Sequence, residues 1–366
     1  MNILLLCKRH YTSHDLVLER FGRLYHFPRQ WANHGHRVSV LAMDYGVGQP
    51  AVVAEDNLTL ESYPLFTLRN NFVTALRRQL DTFRPDTIVA SGDSHIGYLG
   101  ARVARRLGIP FVFDLYHNYE DFGSNRILGM KWMYNRALES AALVVCDSEK
   151  LAGLVASRCA RTLVAEQAVD SGIFYPRDKA ECQRELGLPD GSRYLVYIGS
   201  INDRFDRDAV LAAMDSLSGQ GVETTLLVAG PGLDSVTSAH PRVKYLGRLP
   251  HEKMPVVIGA GDVCLIPYAA TALAETCHPC KLSEYIACER PIVASRVSNI
   301  LDYLSLSSGL TYVPGDGDGL AYSLEQQLRD PIIEHNESAL KWENIAARYL
   351  AHLLNLFSTL GRERSA

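Results

Sequence analysis

A lysine and a glutamate three positions apart are the residue pair in this sequence whose types and spacing best suit chemistry on a charged ligand. Lys281 and Glu284 lie in the segment 278–287, which reads HPCKLSEYIA. Pro279 favours the start of a helix, so Lys281 is predicted in a first turn, where the helix dipole disfavours a cation. This position indicates an anion: Lys281 and the helix N-terminus would hold a diphosphate, and Glu284 would accept hydrogen bonds from a ribose diol. The alternative is a solvated lysine–glutamate pair on a surface helix.

Glycine-containing turns after two predicted strands of the same half could hold the same ligand. Residues 198–204 read IGSINDR, in which Gly199 lets the backbone approach a diphosphate and Arg204 can pair with it. Gly230 opens a Gly-Pro-Gly turn after the next strand. Because ligands of parallel sheets gather at the carboxyl ends of the strands, these turns and the segment 278–287 are predicted to form one site. Plain tight turns beside a solvated arginine are the alternative.

In the first half of the chain, polar residues also follow predicted strands. His10 and Asp15 come shortly after the first strand, Asp93 and His95 follow the third, and His117 follows the fourth. The groups after the first and third strands suit an acceptor hydroxyl, and an inverting enzyme would need a general base among them. Asp93, Asp15 or His95 could serve, and position alone does not choose among them. For His117 the alternative is a surface or structural role.

Cysteine usage predicts reduced thiols and no metal site. Cys277 and Cys280 form a Cys-x-x-Cys pair among eight scattered cysteines. A redox motif of this kind should open a helix after the first strand of a small domain, and a zinc site needs a second ligand pair. Neither context is present, so no metal and no other cofactor is predicted.

The elements that must position these residues alternate between short apolar strands and helices, which predicts an α/β fold with parallel sheets. The predicted strands are Asn2–Cys7, Arg37–Ala42, Thr87–Ala90, Phe111–Asp114 and Leu143–Cys146, then Tyr194–Ile198, Thr225–Ala229, Val243–Leu246, Val263–Ile266 and Pro291–Ala294. The predicted helices of the first half are Leu16–His34, Phe72–Phe83, Ser94–Leu107 and Lys131–Ser140.

A turn-rich segment at residues 169–176 separates two similar halves. A chain of 366 residues exceeds what one core usually supports, so two domains are predicted, 1–172 and 173–337, with a cleft between them. The remaining segment, 338–366, shows helical periodicity. It is either a helix that packs back across the domain junction or an ordinary terminal core helix.

Composition argues against several classes of function. The formal net charge is −4, so no global basic field is available for nucleic acid. The apolar run Ile3–Leu6 is too short for a signal peptide, and no run approaches the roughly 20 apolar residues of a membrane span. A cytoplasmic location is predicted. The amphipathic segment Arg69–Arg84 is a candidate for contact with the inner membrane face, the alternative being a helix packed on its own sheet.

The pattern Pro-x-Lys-x-x-Glu-Tyr-x-Ala at 279–287, followed by RPIVA at 290–294, resembles the donor-binding signature of GT-B glycosyltransferases of the family 4 type (glycosyl transferases group 1). Other segments agree in order and spacing: GHRV at 35–38, RPD at 84–86, FYP at 174–176, VYIGS at 196–200 and LGRLP at 246–250. The resemblance covers essentially the whole chain. It implies two Rossmann-like domains whose parallel sheets face a central cleft, with the acceptor bound by the N-terminal domain and the donor by the C-terminal domain.

The resemblance also implies roles for particular residues. Glu284 would bind the nucleotide ribose, Lys281 and the preceding loop the diphosphate, and His117 the donor near C6 of its sugar. The predicted donor-binding residues are Gly199, Ser200, Arg204, Gly230, Leu249, His278, Pro279, Cys280, Lys281, Leu282 and Glu284. The catalytic candidates are His117, Asp93 and Glu275, and the acceptor-binding candidates are His10, Asp15 and His95.

Departures from the family pattern leave the stereochemical course open. Many retaining members carry two glutamates separated by seven residues, whereas the first of those positions is Thr276 here and Glu275 stands one residue further away. His278 stands where a subset of relatives has asparagine. The lysine often found shortly after Arg204 is missing, as in relatives that resemble bacterial exopolysaccharide glucuronosyltransferases.

The predicted function is metal-independent transfer of a sugar from a nucleoside diphosphate-sugar to a hydroxyl of a glycan, a glycolipid, another lipid-linked acceptor or another glycoconjugate. The resemblance favours UDP over GDP. Arg204, Lys281 and the helix N-terminus would stabilise the leaving diphosphate, as a divalent ion does elsewhere. The alternatives are a sugar-nucleotide epimerase of the same fold and a non-catalytic nucleotide-sugar-binding subunit. A nicotinamide dehydrogenase is disfavoured because no Gly-x-Gly-x-x-Gly follows the first strand.

Overall fold

The computed structural model describes residues 1–363 except 12–13, 47, 122, 233–239, 298–299, 301–302, 305–309 and 334–339. The chain forms two compact units. The first comprises Met1–Gln167 together with Trp342–Ala366, and the second comprises Ala168–Lys341. The division therefore falls after Gln167, whereas the sequence placed it after residue 172. The final helix belongs to the first unit.

The first unit is built on an eight-stranded sheet. Its strands are β1 (Asn2–Lys8), β4 (Arg37–Asp44), β5 (Ala51–Glu55), β6 (Leu58–Pro64), β7 (Thr87–Ser91), β8 (Phe111–Leu115), β9 (Leu143–Cys146) and β10 (Thr162–Val164), and a separate two-stranded ribbon pairs β2 (His10–Tyr11) with β3 (His14–Asp15). The order is β10-β9-β8-β7-β1-β4-β6-β5, and β5 alone of these strands runs antiparallel to its neighbour. The strand order reverses between β1 and β7.

The second unit contains a six-stranded, fully parallel sheet. Its strands are β11 (Arg193–Ile198), β12 (Thr224–Ala229), β13 (Val243–Gly247), β14 (Val263–Ile266), β15 (Ile292–Ser295) and β16 (Thr311–Tyr312), in the order β13-β12-β11-β14-β15-β16. The order reverses between β11 and β14. All ten predicted strands are present within one or two residues of their predicted ends, because central parallel strands are buried on both faces and read as short apolar runs.

The helices of the first unit are α1 (Leu16–Glu19), α2 (Arg23–Asn33), α3 (Phe72–Thr82), α4 (Ser94–Leu107), α5 (Met130–Ser140), α6 (Glu149–Val155) and the terminal α13 (Trp342–Glu363). The second unit carries α7 (Lys179–Glu185), α8 (Arg207–Gly219), α9 (Met254–Gly259), α10 (Ala272–Thr276), α11 (Cys280–Ala287) and α12 (Gly317–Arg329). None of the described helices is long and apolar enough to cross a membrane.

The prediction of one helix over Leu16–His34 was wrong. Arg20 adopts the left-handed conformation, with φ 53°, and ends α1 after one turn, and Gly22 has φ 70° before α2 begins. A left-handed residue stops the helical hydrogen-bond ladder, whereas the apolar periodicity that suggested one helix continues into the next element. The strands β5 and β6, which were not predicted, lie on the far side of β4.

The helix α3 packs on its own sheet, which was the alternative to membrane contact for the segment Arg69–Arg84. Phe72 and Leu76 are buried, and the helix contacts β4 and β6. Arg78 pairs with Glu61. The exposed apolar residues of this region are Phe66 and Leu68, in the loop before α3, and Val73 in its first turn.

The terminal helix α13 packs against α2 in the core of the first unit. The Trp342 ring stacks on His26, with centroids 5.1 Å apart, and the Tyr349 ring meets Phe27 and Trp31 edge-on at 5.3 and 5.0 Å. Edge-to-face aromatic pairs of this kind add to the free energy gained from burial alone. After completing the second unit, the chain therefore returns to stabilise the first.

A buried ion pair joins α2 to the carboxyl end of β8. The Arg23 Nη2 donates to Asp114 Oδ1 at 2.6 Å, and the Ser91 hydroxyl donates to Asp114 Oδ2 at 2.6 Å. Arg23 and Asp114 are 0% and 1% exposed, so each charge depends on the other for compensation. The guanidinium also lies 5.0 Å from the centroid of the Phe27 ring.

Replacing Arg23 should therefore strongly destabilise the first unit. In Arg23→Met the Asp114 carboxylate stays buried without its cation, and we expect the free energy of unfolding to fall by about 3–5 kcal/mol. Tryptophan fluorescence in a urea titration measures this selectively, because Trp31, Trp132 and Trp342 all lie in the first unit. The control is Arg136→Met, which removes an exposed pair with Glu139 and should cost less than about 1 kcal/mol. If the two substitutions lowered the free energy of unfolding equally, the stabilising role of the buried Arg23–Asp114 pair would be wrong.

Candidate functional site

The Lys281–Glu284 pair lies at the start of α11 and is buried. Lys281 is 9% exposed and Glu284 8%, which rules out the alternative of a solvated surface pair. Pro279 occupies the N-cap position, and its side chain has no hydrogen-bonding group to cap the helix. A helix start of this kind directs backbone N–H groups and the positive end of the helix dipole outward, where they favour an anion.

Two tyrosine rings hold the Lys281 ammonium. Its Nζ lies 4.0 Å from the centroid of the Tyr197 ring and 5.1 Å from that of Tyr268. Among the described residues, no carboxylate lies within ion-pair distance of this nitrogen. Burial, with the Arg204 charge adding to it, lowers the pKa of Lys281 to about 7. The two aromatic faces and the more distant charge of Glu284 stabilise the ammonium, which is available to a negatively charged ligand.

Arg204 adds a second cation at the same place. Its guanidinium carbon lies 5.9 Å from the centroid of the Tyr268 ring, so Lys281 and Arg204 both lie near Tyr268. The backbone fixes this position, because the Arg204 carbonyl accepts a hydrogen bond from the Ala269 N–H at 2.8 Å. Two like charges at one aromatic ring repel each other, and a diphosphate would relieve that repulsion.

Two glycine turns bring the backbone close to the lysine. A Cβ on Gly199, where φ is 123°, would lie 3.1 Å from Lys281 Nζ, and a Cβ on Gly230 would lie 2.3 Å from the Gly199 carbonyl oxygen. The hydroxyl of Tyr197 donates to the Ser200 carbonyl at 2.8 Å, and that of Tyr245 donates to the Gly230 carbonyl at 2.7 Å. Gly230 is thus required for the close packing of the two turns.

These groups meet where the strand order of the second sheet reverses. Tyr197 and Gly199 stand at the carboxyl end of β11, and Tyr268 follows β14, its immediate neighbour. The crevice outside such a reversal is where open parallel sheets bind ligands. In the second unit, the structure therefore brings together Gly199, Ser200, Arg204, Gly230 and Lys281 of the predicted donor-binding residues.

Glu284 contacts a histidine that the sequence analysis did not single out. His251 Nε2 lies 3.4 Å from Glu284 Oε1, and the His251 ring rests on the buried Phe174 ring with centroids 5.0 Å apart. Burial opposes the charged form of His251, but the hydrogen bond and charge of Glu284, helped by Glu252 and Asp170, outweigh it and raise the pKa of His251. Glu284 therefore stands beside a group able to carry positive charge.

The other predicted donor-binding residues have mainly packing environments. Leu282 is buried in the apolar core and Leu249 packs against that core, so the Leu282 side chain is committed to packing. The buried His278 ring meets Tyr303 edge-on with centroids 5.0 Å apart. Pro279 is buried and Cys280 half-buried, both at the start of α11. Glu275 is half-buried on α10, and its catalytic role stays a prediction.

In the first unit, a polar cluster forms at the carboxyl ends of three neighbouring strands. Lys8 ends β1 and pairs with Asp93, which follows β7, at 3.7 Å. Tyr45, which follows β4, has its hydroxyl 2.6 Å from His95 Nε2. Burial lowers the pKa of His95, against the opposing charge of Asp93, and so favours a neutral imidazole near pH 7. The cluster stands at the strand-order reversal of this sheet.

The remaining predicted residues of the first unit lie elsewhere or are already engaged. Asp15 caps α1 by accepting hydrogen bonds from the N–H groups of Val17 and Leu18, and it pairs with Arg9 at 2.8 Å. Although burial opposes the change, these contacts lower its pKa, which makes it a weak base. His10 is exposed on β2. His117 follows β8 and lies edge-on to Tyr116, with centroids 5.2 Å apart.

Metal ligands do not cluster in the described part of the chain. No group of three or more histidine, cysteine, aspartate or glutamate side chains there could hold an ion. The cations of the second unit, Lys281 and Arg204, are the groups available to an anionic ligand at this site. The arrangement can bind a nucleoside diphosphate and stabilise it as a leaving group.

Two family models match most of the chain. The family model described as glycosyl transferase 4-like domain matches residues 23–163, and the one described as glycosyl transferases group 1 matches residues 192–330. A GDP-mannose-dependent alpha-mannosyltransferase of Mycolicibacterium smegmatis is 27% identical over 282 residues, 71% of this chain and 71% of that protein. A D-inositol 3-phosphate glycosyltransferase of Actinosynnema mirum is 26% identical, and the match spans 48% of this chain and 45% of that one.

Solved structures share the fold. Sucrose-phosphate synthase from Thermosynechococcus elongatus superimposes with a TM-score of 0.76 at 18% identity, covering 98% of this chain and 99% of that one. The Anabaena protein HepE in complex with UDP-glucose gives a TM-score of 0.70 at 17% identity, covering 99% and 100%. The fold and the two family models define an α/β glycosyltransferase. The chain belongs to the GT-B glycosyltransferases of the group 1, family 4-like type.

The residues that sequence reasoning missed are aromatic and basic neighbours of those it found. They are Tyr197, Tyr268 and His251 in the second unit and Lys8 and Tyr45 in the first. Lys8 ends a strand, and Tyr45 and Tyr268 follow one within two residues. Tyr197 is the next-to-last residue of β11, so the strand-end rule used for the other candidates could have found these four. His251 follows Leu249-Pro250 in a short turn and had no such signal.

The pKa of Lys281 makes nucleotide binding pH-dependent. A diphosphate favours the charged lysine, so binding takes up a proton once the pH exceeds about 7. We expect the affinity for a nucleoside diphosphate to fall between pH 7 and 9, by at most about tenfold per pH unit. Isothermal titration of the wild type and of Lys281→Arg measures it. Arginine stays charged throughout this range, so the variant should show a flatter profile, and identical slopes would contradict the prediction.

Proposed function

We propose that this glycosyltransferase binds a nucleoside diphosphate-sugar in its second unit and transfers the sugar to an acceptor hydroxyl. The observation that carries the proposal is the buried Lys281, stabilised by Tyr197 and Tyr268 and placed beside Arg204 at the strand-order reversal. A protein rarely buries a cation with no carboxylate within ion-pair distance unless a ligand supplies the negative charge. Glu284, one turn along α11, is proposed to accept the ribose hydroxyls.

The nucleotide is proposed to be UDP, with GDP as the alternative. Structures of the same fold hold UDP or UDP-glucose, which supports UDP, whereas the Mycolicibacterium smegmatis relative is named as dependent on GDP-mannose. Gly199 and Gly230 fit either nucleotide, because both turns are proposed to approach the diphosphate, which UDP and GDP share.

Catalysis is proposed to rest on charge stabilisation without a metal. Bond cleavage at the anomeric carbon leaves the electron pair on the diphosphate, whose developing charge Lys281, Arg204 and the helix N-terminus can stabilise. These groups would act as a divalent ion does in other transferases. In the first unit, Asp93 and His95 are proposed to orient the acceptor hydroxyl, since Asp15 is engaged by Arg9 and by α1.

Titration with UDP, GDP and ADP tests the donor site. We expect UDP to bind in preference, and Glu284→Ala and Lys281→Ala to lose at least about tenfold in affinity, since each removes a charged contact. Adding EDTA should leave the affinity unchanged. The control is Lys253→Ala, which removes a more exposed lysine paired with Glu185. Preferential binding of GDP would show that the base of the donor is guanine and not uracil. Failure to bind any of the three nucleotides would contradict the proposal.

The acceptor is proposed to be a glycan or a lipid-linked glycoconjugate, reached in the second case by contact with a membrane surface. The loop before α3 exposes Phe66 and Leu68, which are 74% and 101% exposed, with Arg69 next to them. Apolar side chains beside a cation are suited to an anionic lipid surface.

Sedimentation with anionic phospholipid vesicles tests this contact. Phe66→Ser combined with Leu68→Ser should reduce the bound fraction severalfold, because the substitutions remove the apolar groups that would enter the interface. The control is Val52→Ser, which changes an exposed apolar residue on β5. If wild type and both variants sediment equally, the membrane contact is wrong and a water-soluble glycan is the better acceptor.

A further inference from the structure

We propose that His251 is a positioning residue that holds the Glu284 carboxylate so that it can accept hydrogen bonds from the ribose of the donor. The inference rests on the proposed function, because it needs Glu284 to be a ribose ligand. It adds a residue to that site and explains how a single carboxylate on α11 keeps one orientation.

The geometry of the carboxylate supports this role. His251 Nε2 faces Glu284 Oε1 at 3.4 Å, and among the described residues His251 is the one side chain that reaches this carboxylate by a hydrogen bond or ion pair. A carboxylate has two acceptor oxygens. When one of them is held by a nitrogen donor, rotation about the terminal side-chain bond is restricted and the other oxygen, Oε2, keeps a fixed direction toward a ligand.

The histidine is itself held in place by its surroundings. Its ring rests on Phe174, which is 0% exposed, and its backbone lies in a short 3-10 turn, His251–Lys253, after Pro250. The Lys253 N–H donates to the Pro250 carbonyl at 3.0 Å and closes that turn. Since a positioning residue must have a locked rotamer, the aromatic support and the fixed backbone meet the requirement.

Electrostatics favour a charged histidine at this place. The negative charges of three carboxylates, Glu284, Glu252 and Asp170, favour the protonated form of His251, and the neighbouring Phe174 ring is uncharged. A charge-assisted hydrogen bond is stronger than a neutral one, which offsets the long distance between Nε2 and Oε1. The partial neutralisation also lets a carboxylate lie near a diphosphate with less repulsion.

The test compares ribonucleotides with analogues that lack the hydroxyls. Affinities of UDP and GDP, and of their 2′,3′-dideoxy forms, are measured by calorimetry for the wild type, His251→Leu and His251→Gln. Leucine removes the donor, whereas glutamine places an amide N–H close to the position of Nε2. His251→Leu should lose about tenfold, or about 1.4 kcal/mol, for the ribonucleotide and less than about twofold for the dideoxy form. His251→Gln should recover most of the loss.

The same loss should depend on Glu284. In a Glu284→Gln background, adding His251→Leu should change the ribonucleotide affinity by less than about twofold, because the interaction is already broken. The control is His240→Asn, which disrupts another histidine–carboxylate pair in the second unit, His240 with Asp215, and should leave all affinities unchanged. Thermal unfolding of each variant shows whether it folds.

The outcomes separate the inference from the function on which it rests. If His251→Leu weakens both forms of the nucleotide equally, or neither, while Glu284→Gln weakens only the ribonucleotide, then the role of His251 is wrong and the donor site stands. If the wild type binds the nucleotide but does not distinguish ribose from dideoxyribose, the ribose roles of Glu284 and His251 are both wrong. If it binds no nucleotide, the donor site is wrong as well. A failure of His251→Gln to restore affinity in a folded protein would also overturn the positioning role.

Discussion

Parallel strands buried on both faces can present polar chemistry only at their ends, and this constraint governs both units of the protein. The central strands β1, β7, β11 and β14 are apolar along nearly their whole length, so each sheet concentrates its charged and aromatic hydrogen-bonding groups just beyond the carboxyl ends. In both units the groups meet where the strand order reverses: Lys8 and Asp93 in the first, Tyr197, Tyr268 and Lys281 in the second. The candidate sites follow from the topology.

Each unit buries a cation, but only the cation of the first unit has a carboxylate within ion-pair distance among the described residues. Arg23 is compensated by Asp114, whose other carboxylate oxygen accepts from Ser91, so the pair is complete and its role is structural. Lys281 is surrounded by aromatic rings and lies near a second cation, Arg204, so its charge is left for a ligand to balance. Burial, with the Arg204 charge adding to it, lowers the pKa of Lys281 to about 7. Burial of charge thus distinguishes a residue that stabilises the fold from one that prepares a site.

Close packing of backbone at the second site depends on glycine. The turn after β11 and the turn after β12 approach so closely that a Cβ on Gly230 would overlap the Gly199 carbonyl. Tyr245 secures the second turn by donating to the Gly230 carbonyl. The first turn lies against the Lys281 ammonium and is held by the Tyr197 hydroxyl through the Ser200 carbonyl, a close packing that suits preorganised charge stabilisation. In the proposed role, His251 would restrict the orientation of the Glu284 carboxylate in a comparable way.

The sequence by itself determined the fold class and the ten predicted strands and singled out Lys281 and Glu284 as candidates, because apolar runs, glycine turns and the spacing of two residues are local properties of the chain. It did not determine that Leu16–His34 breaks at Arg20, since the apolar periodicity continues past the break. The sequence also did not determine which residues contact Lys281 and Glu284. Tyr197, Tyr268 and Lys281 come from three separate segments, and His251 and Glu284 are 33 residues apart. Only the tertiary structure decided these contacts, because sheet order and packing bring together residues whose separation along the chain carries no signal of their proximity.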